Sequence, residues 1–117
     1  MVFLLPIISL AQTPQEEWID KLGKCESRDR PSIKILDTNN KYSYGLLQFQ
    51  LETFYSFGKK YGFFPEEFTR EEARLMINIP SLQKAIAKEM LDDGLDWHWK
   101  NCRDKKIGKY PVSPVDG

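Results

Sequence analysis

The sequence has few of the side chains from which metal sites are built. Its 117 residues include one histidine, His98, and two cysteines, Cys25 and Cys102. These three side chains are too few for an ordinary zinc site. An EF-hand calcium loop beginning at Asp37 would have Lys41 as its third ligand and no glycine at its sixth position, so that pattern is broken as well. We therefore expect no metal ion and no cofactor.

An excess of charge of one sign is also absent. Lys plus Arg and Asp plus Glu each number 17, which gives a formal net charge of zero. Because phosphate backbones are bound by basic surfaces, this balance argues against nucleic acid as a partner and favours a neutral or locally polar ligand. One basic cluster is formed by Lys100, Arg103, Lys105, Lys106 and Lys109. We interpret it as a solvated end of the chain, with weak attraction to an anionic polymer as the alternative.

No apolar run is long enough for a transmembrane segment, which takes ~20 residues. The run from Val2 to Ala11 covers ten residues, and residues 9–11 have the small-x-small form of a signal-peptidase site. No Lys or Arg precedes the run. We interpret residues 1–11 as a truncated signal peptide, with a buried strand or helix start as the alternative. The protein is then expected to be exported, to the periplasm, the cell envelope or the extracellular space.

The two cysteines fit export, because an oxidising compartment permits a disulfide. Cys25 follows Trp18 by seven residues, and Cys102 follows Trp99 by three. This helical spacing turns both cysteines toward the core. We predict a disulfide between Cys25 and Cys102 that joins the first helix to the last. Two unrelated buried thiols are the alternative.

The composition provides material for one compact domain. Hydrophobic residues make up 41% and aromatic residues 13% of the chain, and the length fits a single domain. Capping residues, prolines and periodic apolar positions predict helices that start at Thr13, Leu51, Thr69, Pro80 and Asp96. Residues 28–40 are typical of a loop-rich segment with at most a brief extended piece, so the predicted fold is mostly α. We place the domain at 12–104 and a Pro-rich tail that adds little to the core at 105–117.

A carboxylate lies on the apolar side of the first predicted helix. Ile19, Leu22 and Glu26 share one stripe at helical spacing, and Glu26 is near the C-terminal end. A carboxyl group in that position loses hydration, which raises its pKa and keeps it protonated near neutrality. Such a group suits the general acid of glycoside cleavage. The alternative is a helix-end glutamate that extends to solvent or pairs with Arg28 or Arg30.

The stretch S-Y-G-L-L-Q-F-Q, residues 43–50, places polar and aromatic side chains around a glycine. Gly45 allows a close backbone approach or a positive φ angle. Ser43 and Gln48 offer a short and a long hydrogen-bonding arm, and Tyr44 and Phe49 could cover the apolar face of a sugar. We predict these five residues as a substrate-binding turn. The alternative is a turn from loop to helix whose apolar residues enter the core, and both interpretations can hold together.

Glu26 followed by Ser27, with the segment S-Y-G-L-L-Q at 43–48, resembles the lysozyme-like superfamily, specifically its soluble lytic transglycosylase (SLT) and goose-type lysozyme group. Those domains place a catalytic glutamate, usually followed by serine, at a helix end. A serine-x-glycine-leucine-(methionine or leucine)-glutamine turn follows. The resemblance covers roughly residues 18–102. It implies a small lysozyme-like helical domain that cleaves the β-1,4 bond between N-acetylmuramic acid and N-acetylglucosamine in peptidoglycan.

Carried over residue by residue, the resemblance makes Glu26 the catalytic acid/base and Ser43, Gly45 and Gln48 the turn beside it. The chain departs from the family in its last helix, where an alanine-tyrosine-asparagine element usually supports the glutamate. Residues 97–110 read W-H-W-K-N-C-R-D-K-K-I-G-K-Y instead. The candidates to replace that tyrosine are Trp97, Trp99 and Tyr110.

The sequence does not identify the group that attacks the sugar carbon. The acids available as a second carboxylate are Asp29, Asp37 and Glu52, and sequence context singles out none of them. A substrate-assisted route needs only one acid/base. Attack by the muramoyl 6-hydroxyl would give the anhydro product of a lytic transglycosylase, and attack by water would give the product of a lysozyme.

Two other classes of function compete with a glycosidase. One is a non-catalytic module that binds peptidoglycan glycan strands. The other is a helical interaction protein of an envelope secretion or pilus assembly, with Trp97 and Trp99 at the contact. In the glycosidase interpretation the protein is a monomer whose partner is peptidoglycan.

Overall fold

The computed structural model describes residues 11–112. Four helices are regular: α1 (Pro14–Ser27), α2 (Leu51–Lys60), α3 (Arg70–Met76) and α4 (Pro80–Asp92). A terminal helix follows, which we define as residues 96–107: a 3-10 turn (Asp96–Trp99), a short α5 (Lys100–Cys102) and a π turn (Arg103–Ile107). The strands are β1 (Lys34–Leu36), β2 (Tyr42–Tyr44) and β3 (Phe49–Gln50). The predicted signal peptide, apart from Ala11, and the end of the predicted tail lie outside the described residues.

Helices begin at or beside the predicted starts Thr13, Leu51, Thr69 and Pro80, whereas Asp96 begins a 3-10 turn instead of capping an α-helix. The Thr13 hydroxyl accepts a hydrogen bond from the Glu16 N–H over 3.1 Å, and Thr69 forms a reciprocal capping box with Glu72. Pro80 is the first residue of α4. The fold is therefore mostly helical, as predicted. Within residues 11–112, no helix is both long and apolar enough to cross a membrane.

The segment between α1 and α2 contains a small antiparallel sheet in the order β1-β2-β3. Ile35 lies opposite Ser43, and Ser43 lies opposite Gln50. A turn joins the first two strands, in which the Asp37 N–H donates to the Lys41 carbonyl over 2.8 Å. The single extended piece expected within residues 28–40 is confirmed as β1, but β2 and β3, which follow that range, were not predicted. Strands of two or three residues are too short to show a period-two pattern in sequence.

The predicted tail begins inside the folded domain. Tyr110 is buried and meets the Trp18 ring edge-on, with 5.4 Å between ring centroids. Its hydroxyl donates to Asp92 Oδ1 over 2.7 Å, and Trp18 Nε1 donates to the Gly108 carbonyl over 2.9 Å. The expectation that residues 105–117 add little to the core was therefore wrong for Tyr110. Prolines and glycine around this residue hide its contribution, because they signal only that the helix ends.

Cys25 and Cys102 form the predicted disulfide, with their Cα atoms 6.0 Å apart and a sequence separation of 77 residues. The bond joins the end of α1 to the terminal helix. It closes most of the described chain into one covalent loop. A disulfide-bonded pair of this kind favours an oxidising compartment.

The disulfide should provide a large part of the folding stability. Replacing both cysteines with alanine in the variant Cys25→Ala/Cys102→Ala is expected to lower the free energy of unfolding by about 4–5 kcal/mol, because the unfolded chain regains the entropy of an open loop of this size. Urea unfolding followed by circular dichroism measures the change. The wild type with its disulfide chemically reduced is the control, and it should lose a similar amount. An unchanged urea midpoint in both samples would contradict the prediction.

Candidate functional site

A cleft of about 510 Å³ opens beside the end of α1, and Glu26 lies in its wall. We name two sides by their residues. The sheet side consists of Ile35, Asp37, Ser43, Gln48, Gln50 and Thr53. The terminal side consists of Trp97, His98, Lys100 and Asn101. The buried rings of Phe49 and Trp99 also line the cleft and lie edge-on to each other, 5.5 Å between centroids.

Glu26 lies in the last turn of α1, and its neighbours determine how that helix ends. Arg28 takes a left-handed conformation with φ of 55°, which stops the helix. The Ser27 hydroxyl donates to the Gly23 carbonyl over 3.0 Å, and Arg30 Nε donates to the Ser27 carbonyl over 2.8 Å. Within residues 11–112, no ion pair joins Glu26 to either arginine. The alternative of a neutralised surface glutamate is therefore not supported.

The environment of Glu26 favours its protonated form. Burial raises the pKa of this carboxyl group to about 7, and the negative charge of Asp37 contributes in the same direction. A carboxyl with that pKa is about half protonated at neutral pH. The raised pKa predicted from the helical stripe is thus confirmed. Glu26 can donate a proton in the pH range where most enzymes work.

Asp37 is the second carboxylate of the cleft, and the small sheet holds it in place. The Ser43 hydroxyl and Gln50 Nε2 both donate to Asp37 Oδ2, the latter over 2.8 Å. Ser43 and Gln50 face each other across β2 and β3, so both can reach the same oxygen. Gln50 is held in turn by Asn39 at 3.1 Å. Of the three acids that the sequence left open, Asp37 is the one that lines the cleft, and Ser43 orients this carboxylate.

The buried side chain of Gln83, which was not predicted from the sequence, holds the turn after β2 in place. The Gln83 side chain is fully buried. Its Nε2 donates to the carbonyls of Tyr44 (2.9 Å) and Ile77 (2.6 Å), and its Oε1 accepts from the Leu47 N–H (2.8 Å). Gly45 has φ of 77°, and a Cβ atom there would lie 2.4 Å from Gln83 Nε2. Gly45 is therefore required both for its conformation and for its close contact.

The other predicted turn residues divide between the cleft and the interior. Gln48 lines the cleft with a positive φ of 56°, and its Nε2 donates to the Gly45 carbonyl over 2.9 Å. Phe49 is buried at the base of the cleft, so its ring mainly packs into the core and has little surface with which to cover a sugar. Tyr44 and Gly45 do not line the cleft. The Arg74 guanidinium instead lies over the Tyr44 ring, 4.1 Å from the ring centroid.

The terminal side presents one buried and one exposed tryptophan. Trp99 Nε1 donates to the Leu47 carbonyl over 2.9 Å, which ties the terminal helix to the turn. Trp97 is 56% exposed and stacks on His98, with 3.9 Å between ring centroids. Burial lowers the pKa of His98, which favours its neutral form. Of the three candidates for the family's tyrosine, both tryptophans line the cleft and Tyr110 lies in the core.

Among residues 11–112, no three His, Cys, Asp or Glu side chains lie close enough together to hold a metal ion. The chain matches no protein-family model, no curated protein and no solved structure. The chemistry of the site is therefore inferred from the cleft itself.

Gly45→Ala should be much more damaging than the same change at Gly62. Both glycines have positive φ, 77° and 79°, but nothing lies within 4 Å of a Cβ at Gly62. Gly62→Ala should lower the free energy of unfolding by about 1–2 kcal/mol, the cost of left-handed backbone. Gly45→Ala adds a clash with Gln83, of about 1–3 kcal/mol more. Urea denaturation measures both variants, and equal losses would show that the Gln83 contact is unimportant.

Asp37→Asn should lower the pKa of Glu26 below about 7, because it removes the negative charge that opposes ionisation. The asparagine Oδ1 can still accept from Ser43 and Gln50, so the local hydrogen bonds are retained. NMR titration of the Glu26 carboxyl carbon measures the shift. Glu52→Gln is the control, because Glu52 pairs with Arg70 away from the cleft. A pKa that stays the same or rises in Asp37→Asn would show that the two carboxylates are not coupled.

Proposed function

We propose that the protein is a peptidoglycan-cleaving glycosidase of the lysozyme-like type, a lytic transglycosylase or lysozyme. It acts on the β-1,4 bond between N-acetylmuramic acid and N-acetylglucosamine. The observation that carries the proposal is the carboxyl group of Glu26, with a pKa of about 7, in the wall of an open cleft. The glycosidic oxygen must be protonated as it leaves, and a general acid with a pKa near the working pH can provide that proton.

The two family-like motifs support this proposal by meeting at one cleft. Glu26 comes from the end of α1, and Ser43 and Gln48 come from the sheet and turn that follow, yet all three line the same space. A helix-end glutamate or a glycine turn alone is common in proteins of many functions. Their convergence on one open cleft of about 510 Å³ is consistent with the binding of a glycan segment.

In the proposed reaction, protonated Glu26 donates to the glycosidic oxygen as the bond to the muramoyl carbon breaks. Asp37 provides a negative charge that stabilises the positive, oxocarbenium-like sugar in the transition state. Glu26, now a carboxylate, then accepts a proton from the attacking hydroxyl. Attack by the muramoyl 6-hydroxyl leaves a 1,6-anhydro end, and attack by water leaves a reducing end.

The position of the disulfide supports an exported enzyme. Cys25 directly precedes Glu26, and Cys102 directly follows Asn101 of the terminal side. The bond therefore joins the two parts of the chain that form the cleft. It is stable only where the environment is oxidising, which is also where peptidoglycan is found.

A second candidate is a non-catalytic module that binds peptidoglycan, and the exposed Trp97 favours it. A tryptophan that is 56% exposed beside a groove suits stacking on a sugar whether or not a bond is cleaved. A binding module, however, has no need of a glutamate that burial keeps half protonated. The raised pKa of Glu26 therefore favours the enzyme.

Digestion of purified peptidoglycan, followed by mass spectrometry of the soluble products, tests the proposal. We expect muropeptides that end in 1,6-anhydromuramic acid or in reducing muramic acid, and Glu26→Gln should release neither. Glu67→Gln, which changes an exposed glutamate outside the cleft, should release as much as the wild type. Binding to peptidoglycan without any soluble product would favour the non-catalytic module.

The stability of Glu26→Gln separates loss of chemistry from loss of fold. The folded-state pKa of Glu26 is raised from 4.5 to about 7, so ionisation destabilises the wild type increasingly as the pH rises through that interval. At pH 8 the glutamine variant should therefore be more stable by about 1–3 kcal/mol, and at pH 4 the two should be nearly equal. An inactive variant that is destabilised at both pH values would not identify Glu26 as the acid.

A further inference from the structure

The terminal side of the cleft is held in place from three directions, although its helix is short. Trp99 Nε1 donates to the Leu47 carbonyl over 2.9 Å. Cys102 is bonded to Cys25 of α1. Arg103 Nη1 pairs with Asp96 Oδ1 at 2.9 Å and so connects the two ends of the terminal side. The side chains between these anchors therefore face the cleft from a preorganised backbone, which favours ligand binding.

Two rings on this side form a platform. Trp97 and His98 stack with 24° between their planes, and His98 is supported edge-on by Phe57 at 5.6 Å. Trp97 nevertheless leaves more than half of its surface exposed beside the cleft. An aromatic face of this kind can cover the apolar C–H face of a pyranose ring.

Lys100 lies one turn after Trp97 in the terminal helix, so the two side chains share one face. It is the only lysine or arginine among the cleft-lining residues of the described chain. Within residues 11–112, its ammonium group forms no ion pair within 4.0 Å, although it interacts electrostatically with Asp104, which lies one turn further along the helix. Arg103, by contrast, is occupied by Asp96 and Asp104. Lys100 is thus a positive charge available to a ligand.

The charges that line the cleft indicate which kind of ligand Lys100 could bind. Asp37, together with the ionised fraction of Glu26, makes the rest of the lining acidic, so an anionic substrate would be repelled without a compensating cation. N-acetylmuramic acid differs from N-acetylglucosamine by a lactyl ether, whose carboxyl group is either free or extended by a stem peptide that carries further carboxylates. The β-1,4 linkage and the acetamide group are the same in peptidoglycan and in chitin, so only this anionic group distinguishes the two polymers.

We propose that Lys100 binds the carboxylate carried by the muramoyl residue while Trp97, backed by His98, stacks on the sugar beside it. This makes Lys100 the residue that selects the muramoyl polymer over neutral chitin. The inference rests on the proposed function, because it names the anionic group of the same substrate.

Binding of two short ligands tests the selection, without requiring turnover. The ligands are a peptide-free muramoyl–glucosaminyl tetrasaccharide with free lactyl carboxylates and the neutral tetramer of N-acetylglucosamine. Calorimetry in the Glu26→Gln background prevents cleavage during the measurement. Lys100→Gln should weaken binding of the muramoyl ligand ~10-fold or more, the effect of losing a charge-assisted hydrogen bond, and leave the neutral ligand unchanged. Trp97→Ala should weaken both ligands, because both present a sugar face.

Lys105→Gln is the matched control, because Lys105 is an exposed lysine of the same helix that does not line the cleft. It should change neither affinity. Equal weakening of both ligands by Lys100→Gln, or of neither, would overturn the proposal. Selective weakening in a protein that releases no product from peptidoglycan would retain the role of Lys100 and reject the glycosidase, so the two failures are distinguishable.

Two further ligands identify the source of the carboxylate. One is the same tetrasaccharide with its lactyl groups capped as methylamides, and the other carries stem peptides on those groups. A Lys100→Gln effect that disappears with the capped ligand assigns the lactyl carboxylate. An effect that returns with the peptide-bearing ligand assigns the carboxylates of the peptide as well. An undiminished effect with the capped, neutral ligand would overturn the proposal.

Discussion

The bond between Cys25 and Cys102 is the constraint on which the cleft depends. One cysteine directly precedes Glu26, and the other directly follows the residues of the terminal side. Noncovalent contacts also join α1 to the end of the chain, through the hydrogen bond of Trp18 to Gly108 and its ring contact with Tyr110. In a domain of this size the covalent link contributes free energy comparable to the whole folding stability of ~5–15 kcal/mol. The geometry of the site and the stability of the fold therefore have the same origin.

A second constraint acts on the sheet side, through the buried amide of Gln83. Burying an amide is costly unless its donors and its acceptor are paired, and Gln83 meets that condition with backbone groups of Tyr44, Leu47 and Ile77. Trp99 donates to the carbonyl of the same Leu47, so one short turn receives support from α4 and from the terminal helix. A polar residue on the buried stripe of α4, three positions before Ile86, was the available sequence signal for this role.

The helical frame was predictable from the sequence because its signals are local, such as the caps at Thr69 and the proline that opens α4. The helix-end placement of Glu26 likewise followed from spacing alone. One extended piece was predictable, but the pairing of the three strands was not. Neighbouring residues of a strand point to opposite faces, so the register that turns Ser43 toward Asp37 turns Tyr44 away from the cleft. Short strands carry too little pattern to reveal that register before the fold is known.

The charge balance of the whole chain illustrates the difference between composition and arrangement. A net charge of zero favoured a neutral or locally polar ligand, and this holds for the surface as a whole. Inside the cleft, however, charges are separated: the carboxylate of Asp37 lies on the sheet side and the ammonium group of Lys100 on the terminal side. Because interactions weaken with distance and are screened within ~10 Å in salt, a ligand responds to this local separation rather than to the sum. A neutral protein can therefore present a cation to an anionic sugar while it keeps a glutamate protonated nearby.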